Sequence, residues 1–178
     1  MTDLLPRIRA SFDEGWRFQL GEAPSAQCLD YDDSAWRRLD LPHDWGVEGG
    51  MDQNAPAGAK GGFLPTGVGW YRKEFRFDPA WADRGVFVEF DGVYMNADVW
   101  INGRHLGKRP YGYMGFEYEL TPFLRAEGKN VLAVRVDNSY HPNSRWYTGS
   151  GIYRHVWLTA ADKTRIAHWG LYATTPEV

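Results

Sequence analysis

The stretch YRKEFRFD, from Tyr71 to Asp78, alternates between two kinds of side chain. Its odd-numbered positions carry Tyr, Lys, Phe and Phe, and its even-numbered positions carry Arg, Glu, Arg and Asp. Successive side chains of a β-strand point to opposite faces, so this pattern predicts a strand that buries one face and exposes the other.

The same period of two recurs along the chain and predicts an all-β protein. The other segments are WRFQL from Trp16, AWRRLDL from Ala35, VFVEF from Val86, NADVWI from Asn96, FEYEL from Phe116, NVLAVRV from Asn130, IYRHVWL from Ile152 and RIAHWGLYA from Arg165. No segment has the period of a long amphipathic helix, and TPFLRAEG from Thr121 predicts one short turn.

The connections between these strands favour a sandwich. The pair Asn102-Gly103 predicts a tight hairpin, because a type I′ turn needs positive φ at both central residues. Eight or nine short strands with irregular connections predict two packed antiparallel sheets of jelly-roll (galactose-binding-domain-like) type, with an immunoglobulin sandwich as the alternative.

Composition limits the class of protein. A chain of 178 residues with 43% hydrophobic and 16% aromatic content predicts one packed domain, residues 1–178. The net charge of -3, without a basic run, disfavours nucleic acid as a partner. No stretch approaches the roughly 18 apolar residues needed to cross a membrane. The single Cys28 and an N-terminus unlike a signal peptide favour a cytoplasmic location.

Familiar catalytic motifs do not occur in the sequence. It contains no G-x-S-x-G elbow, no strand-glycine-helix phosphate loop, and no histidine or cysteine spacing typical of zinc sites. We therefore expect no hydrolase triad, no metal and no cofactor in this chain.

Residues 137–151, here called the polar loop, interrupt the strand pattern with a cluster of polar and aromatic residues. Asp137, Arg145 and Trp146 are its candidate substrate-binding residues, and Asp44 in LPHDW is a fourth. Charged hydrogen-bonding groups beside an indole face suit a sugar. Two simpler interpretations remain open: Asp137 forms an Asx turn, and Trp146 covers the core. His43 is expected to be structural.

Several segments, in order, carry a family resemblance. They are LPHDW, GVGWYRKEF, VFVEFDGVYMNADVWINGRHLGKRPYGY, LAVRVDNS and PNSRWYTGSGIYRHVWL. From about Leu41 onward the chain resembles the N-terminal sugar-binding domain of glycoside hydrolase family 2, especially that of its β-galactosidases.

The resemblance implies a multidomain enzyme of which this chain is a fragment. An immunoglobulin-like domain and a (β/α)8 barrel would follow, and the barrel would hold the two carboxyls of a retaining glycosidase, about 5 to 5.5 Å apart. Asp137 would reach into the barrel's pocket to hold a terminal galactose. Arg145 and Trp146 would shape that wall, and Asp44 would lie at its rim. This chain alone would be inactive.

Other functions also fit the residues. Glucuronidases and mannosidases of the same family share the fold, so the parent enzyme could be of either type. An autonomous carbohydrate-binding module and a purely structural or protein-interaction domain are the remaining alternatives, since a sandwich fold does not fix function.

Overall fold

A computed structural model describes residues 6–141 and 143–177, so that the first five residues, Pro142 of the polar loop and Val178 lie outside it. The strands of the described residues are β1 Arg7–Ser11, β2 Trp16–Leu20, β3 Arg37–Leu39, β4 Gly67–Phe75, β5 Gly85–Phe90, β6 Ala97–Ile101, β7 Arg104–Arg109, β8 Phe116–Glu119, β9 Asn130–Asn138 and β10 Val156–Ala161. One short α-helix, α1, spans Trp45–Glu48, and 3-10 turns occupy Gly58–Gly61, Pro79–Trp81 and Thr121–Phe123.

The strands form two antiparallel sheets. One has the order β1-β10-β5-β8, and the other has the order β3-β2-β4-β9-β6-β7. Strands that are neighbours in a sheet are mostly distant in sequence, which is typical of jelly-roll connections rather than of a meander. The predicted all-β sandwich is confirmed.

The core lies between the two sheets, where their inward faces meet. Its buried side chains include Trp16, Phe18, Tyr71, Val86, Val88, Phe90, Val99, Val134, Val136 and Leu158. Each fully buried side chain of this size contributes about 1.5 to 3 kcal/mol through removal of apolar surface from water. This core fixes β4 against β9, and the end of β9 in turn places the polar loop.

The hairpin predicted at Asn102-Gly103 joins β6 to β7. Asn102 has φ 51° and Gly103 has φ 83°, as a type I′ turn requires. The Asn102 amide nitrogen donates to the Phe123 carbonyl at 2.9 Å, and its amide oxygen accepts from the Val131 backbone at 2.8 Å. Asn102 therefore holds the turn against the rest of the fold.

The C-terminal strand prediction is wrong. Residues 165–173 form no strand and lie mostly exposed, with His168 Nε2 3.3 Å from Glu89 on the outer face of the four-stranded sheet. The sheet edge beside β10 is instead occupied by β1, which the period-two pattern did not reveal. In the segment from Ile152, the strand begins only at Val156.

The charged face of β4 is partly covered, contrary to a simple alternation of buried and exposed sides. Arg72 is only 1% exposed, because residues 21–36 fold over the outer face of the six-stranded sheet. Its guanidinium donates to Asp33 Oδ2 and to the Cys28 carbonyl, at 2.8 and 2.9 Å. Full pairing of this kind makes a buried charge tolerable.

Candidate functional site

Asp137 lies next to the end of β9, on the same face of the strand as Arg135. Its Oδ1 accepts hydrogen bonds from the Ser139 backbone nitrogen at 3.0 Å and from Ser139 Oγ at 2.6 Å. Its Oδ2 accepts from Arg135 Nη2 at 3.2 Å. The bond to the nitrogen two residues on is an Asx turn, so the simpler interpretation of Asp137 is geometrically present.

The Asp137 carboxyl is held in its charged form. Burial acts to raise its pKa, but the two hydrogen bonds from Ser139 and the positive charge of Arg135 outweigh it, and the pKa lies below its ordinary value. Its side chain remains 27% exposed. Asp137 can therefore act as a charged acceptor at the surface.

Asn138 ties the two ends of the polar loop together. It is 2% exposed, and its Nδ2 donates to the Gly149 carbonyl at 2.9 Å and to Ser150 Oγ at 2.8 Å. Its Oδ1 accepts from Asn143 Nδ2 at 2.7 Å. The loop thus starts from a fixed base immediately after Asp137.

Asp44 anchors the far end of the same loop. It caps α1 by accepting from the Gly46 backbone at 2.9 Å, and the same Oδ1 accepts from the Ser150 backbone at 3.0 Å. The Tyr147 hydroxyl donates to its other oxygen. The pKa of Tyr147 is raised, mainly by burial and secondly by this hydrogen bond to a carboxylate. The structure gives Asp44 an anchoring task, while its place at a pocket rim stays a prediction.

Arg145 and Trp146 lie at the exposed tip of the loop. Trp146 is 63% exposed and does not cover the core, so that alternative is not supported. Its backbone nitrogen donates to Ser144 Oγ at 3.3 Å. The structure therefore brings Asp44 to the loop's anchored end and Asp137 to its base, and leaves Arg145 and Trp146 facing outward.

A narrow cavity separates the polar loop from the glycine-rich segment before β4. Its lining includes Lys60, Leu64, Asn138, Trp146 and Tyr147, and its volume is about 10 Å³. A space of this size holds about one water molecule. The described residues therefore do not enclose a sugar ring at this position.

His43 is structural, as predicted. Its Nδ1 lies 2.7 Å from the Tyr71 hydroxyl, inside the core, and its Nε2 lies 3.0 Å from Glu48 Oε2. Burial lowers the pKa of His43 despite the charge of Glu48, which favours a neutral ring.

Two residues of the site, Arg135 and Glu22, were not among the sequence-based candidates. Arg135 stands two residues before Asp137 on the same strand, and the period-two rule alone places both on one face. Glu22, which pairs with Arg135, is distant in sequence, and no local pattern points to it.

Metal-ligand clusters and membrane-spanning helices are both absent from the described part of the chain. Within residues 6–141 and 143–177, no three His, Cys, Asp or Glu side chains are grouped so that they could hold a metal ion. No helix in those two ranges has the length and apolar character to cross a bilayer.

Comparison with known proteins gives consistent matches. Residues 10–161 match the family model described as glycosyl hydrolases family 2, sugar binding domain. A β-galactosidase of Bacteroides ovatus, BoGH2A, is 54% identical over 97% of this chain and 20% of its own length. A putative β-glucuronidase of Formosa agariphila is 43% identical over 97% of the chain and 16% of its own length.

Solved structures agree with these matches. A β-glycosidase from Bacteroides vulgatus superimposes with a TM-score of 0.82 and 50% identity, over 85% of this chain and 20% of that one. The chain thus spans about a fifth of the length of the relatives it matches. Because the family match covers residues 10–161 and the identity to a relative reaches 54% over 97% of the chain, the chain belongs to glycosyl hydrolase family 2, as its sugar-binding domain.

Proposed function

We propose that this chain is the non-catalytic N-terminal domain of a retaining, β-galactosidase-like hydrolase, and that it contributes one wall of the substrate pocket. The catalytic carboxylates would lie in a barrel domain of the parent protein, beyond an immunoglobulin-like domain. The relative with 54% identity is named a β-galactosidase, and this chain matches only 20% of its length. The single, unpaired Cys28 is consistent with a cytoplasmic location for the parent, which is part of the proposal.

The observation that carries the proposal is the free acceptor position on Asp137. A carboxylate accepts about four hydrogen bonds, and three are taken by the Ser139 backbone, Ser139 Oγ and Arg135. The remaining position is on Oδ2, the oxygen that Arg135 also contacts. One sugar hydroxyl can therefore donate to an ionised and already oriented carboxylate.

The tip of the polar loop supplies groups of a second kind. The exposed indole of Trp146 offers a flat apolar face of the type on which sugar rings pack, and Arg145 offers a hydrogen-bonding cation beside it. The neighbouring cavity of about 10 Å³ is too small for a sugar, so the other walls must come from the rest of the parent protein.

A β-glucuronidase parent is the second candidate. The Formosa relative with 43% identity is named a putative β-glucuronidase, and the exposed guanidinium of Arg145 could pair with the carboxylate of a glucuronide. Both candidates use the same wall. They differ in the sugar that the remaining walls select.

Kinetics of the full-length parent test the proposal. We expect a higher kcat/KM on an aryl β-galactoside than on the matching β-glucuronide or β-mannoside, and no turnover by the 178-residue chain alone. Titration of the chain with galactose should give a Kd no tighter than about 1 mM, since only one wall is present. Micromolar affinity would support the autonomous binding module instead, and preference for the glucuronide would replace the substrate class.

A further inference from the structure

Arg135 lies between two carboxylates on the outer face of the six-stranded sheet. Its Nη2 donates to Glu22 Oε1 and its Nε donates to Glu22 Oε2, the latter at 3.2 Å. The same Nη2 donates to Asp137 Oδ2 at 3.2 Å. The guanidinium therefore makes a bidentate ion pair with Glu22, and its Nη2 also donates to Asp137.

We propose that Arg135, oriented by Glu22, is a positioning residue that fixes the Asp137 carboxylate for its contact with a sugar hydroxyl. The inference rests on the proposed function, because it concerns the same Asp137 contact.

The surroundings of Arg135 leave it little freedom. It is opposite Trp70 on β4 and opposite Asp98 on β6, and its side chain is only 20% exposed. Glu22 is held in turn by the Trp70 indole nitrogen, which donates to its Oε2 at 3.4 Å. A bidentate ion pair fixes the plane of the guanidinium as well as its position.

The carboxylate of Asp137 is consequently fixed at both oxygens. Ser139 holds Oδ1, Arg135 holds Oδ2, and the free acceptor position has one direction. A group that is already oriented before the substrate arrives loses little conformational entropy on binding. The net binding free energy of its contact is therefore more favourable. Without Arg135, the negative charges of Glu22 and Asp137 would face each other uncompensated.

A double-mutant cycle in the full-length parent enzyme tests this role. The variants are Arg135→Gln, Asp137→Asn and the pair together, each measured for kcat, KM and melting temperature on the preferred aryl glycoside. Arg76→Gln is the matched control, because Arg76 is exposed beyond the opposite end of β4, where Phe75 pairs with Asn130 rather than with the residues near Asp137.

We expect Arg135→Gln to lower kcat/KM by about 5-fold to 30-fold, as loss of a charge-assisted contact would. In the Asp137→Asn background the same change should lower kcat/KM less than about 2-fold, because the group that Arg135 positions has lost its charge. Arg135→Lys keeps the charge without the bidentate geometry, and its kcat/KM should lie between those of wild type and Arg135→Gln. Arg76→Gln should behave as wild type.

Three results would overturn the inference. Equal losses from Arg135→Gln in both backgrounds would show that Arg135 acts independently of Asp137. Wild-type kcat/KM in Arg135→Gln together with a clear loss in Asp137→Asn would remove the positioning role and leave the proposed function standing. Wild-type kcat/KM in Asp137→Asn would remove both. If Arg135→Gln does not fold, Glu22→Gln replaces it in the same cycle, with a smaller expected loss.

Discussion

Replacing Asp137 separates its two possible tasks. Asp137→Ala removes the Asx turn, the ion pair with Arg135 and the free acceptor position together. Asp137→Asn keeps an amide oxygen that can accept from the Ser139 backbone, so the turn survives while the charge is lost. The two variants therefore differ mainly in the turn, and they share the loss of the charged sugar contact.

The expected magnitudes follow from these contacts. Loss of the turn and of a partly exposed ion pair should cost Asp137→Ala about 1 to 2 kcal/mol of unfolding free energy, and Asp137→Asn less than about 1 kcal/mol. With one hydroxyl contact to a charged acceptor, both variants should lose about 1.5 to 3 kcal/mol of transition-state binding, or about 10-fold to 150-fold in kcat/KM.

The assay is urea unfolding of the 178-residue chain combined with kcat/KM of the full-length parent on an aryl β-galactoside. A destabilised Asp137→Ala beside an Asp137→Asn with wild-type kcat/KM would refute the sugar contact and leave only the turn. Similar kinetic losses in both variants, with unequal stabilities, would support it.

Three further changes test the fold that supports the loop. Asn138→Ala should lower the unfolding free energy by about 2 to 4 kcal/mol in urea titrations, because it leaves the Gly149 carbonyl and other buried groups unpaired. An unchanged urea midpoint would show that Asn138 does not hold the two ends of the polar loop together. Asn102→Ala should cost about 1 to 3 kcal/mol in the same titrations, since alanine tolerates φ 51° poorly and makes none of the three side-chain hydrogen bonds of Asn102. A loss below about 0.5 kcal/mol would refute this. The lowered pKa of His43 means that the unfolded chain binds more protons than the folded one, so stability should fall as pH drops below about 6.5; His43→Gln should flatten this dependence in thermal melts at pH 5 and 7, and an equal slope in both proteins would argue against it.

The strands were largely predictable from the sequence because their signal is local. The segment from Tyr71 and the hairpin at Asn102-Gly103 carry their pattern within a few residues. The hairpin occurs as predicted, and the segment from Tyr71 lies in a strand, although β4 ends at Phe75 and its Arg72 is buried. The stretch from Arg165 is rich in apolar residues but pairs with no described strand, and the edge of β10 is occupied by β1 instead. Strand propensity shows that a segment can pair, whereas the available partner depends on the whole topology.

The polar loop can be recognised from the composition of the sequence, but the long-range hydrogen bonds that hold the site cannot. Its composition alone marks Asp137 and Trp146 as unusual between two strands. The link between Asp44 and Ser150 joins residues 106 positions apart, and the link between Glu22 and Arg135 joins residues 113 positions apart. Contacts of this kind depend on the packing of the sheets and have no signature in a short window of sequence.

The division of the loop into fixed and exposed parts favours a wall completed by another domain over a structural or autonomous one. Asn138 and Asp44 fix its two ends through short hydrogen bonds, whereas Trp146 at its tip is 63% exposed. A purely structural loop would bury its large aromatic residues, whereas Tyr140 is 81% exposed and Trp146 63% exposed. An autonomous sugar site would enclose more than the cavity of about 10 Å³ beside the loop. An anchored base with an exposed indole agrees with the proposal that another part of the parent protein packs against this loop.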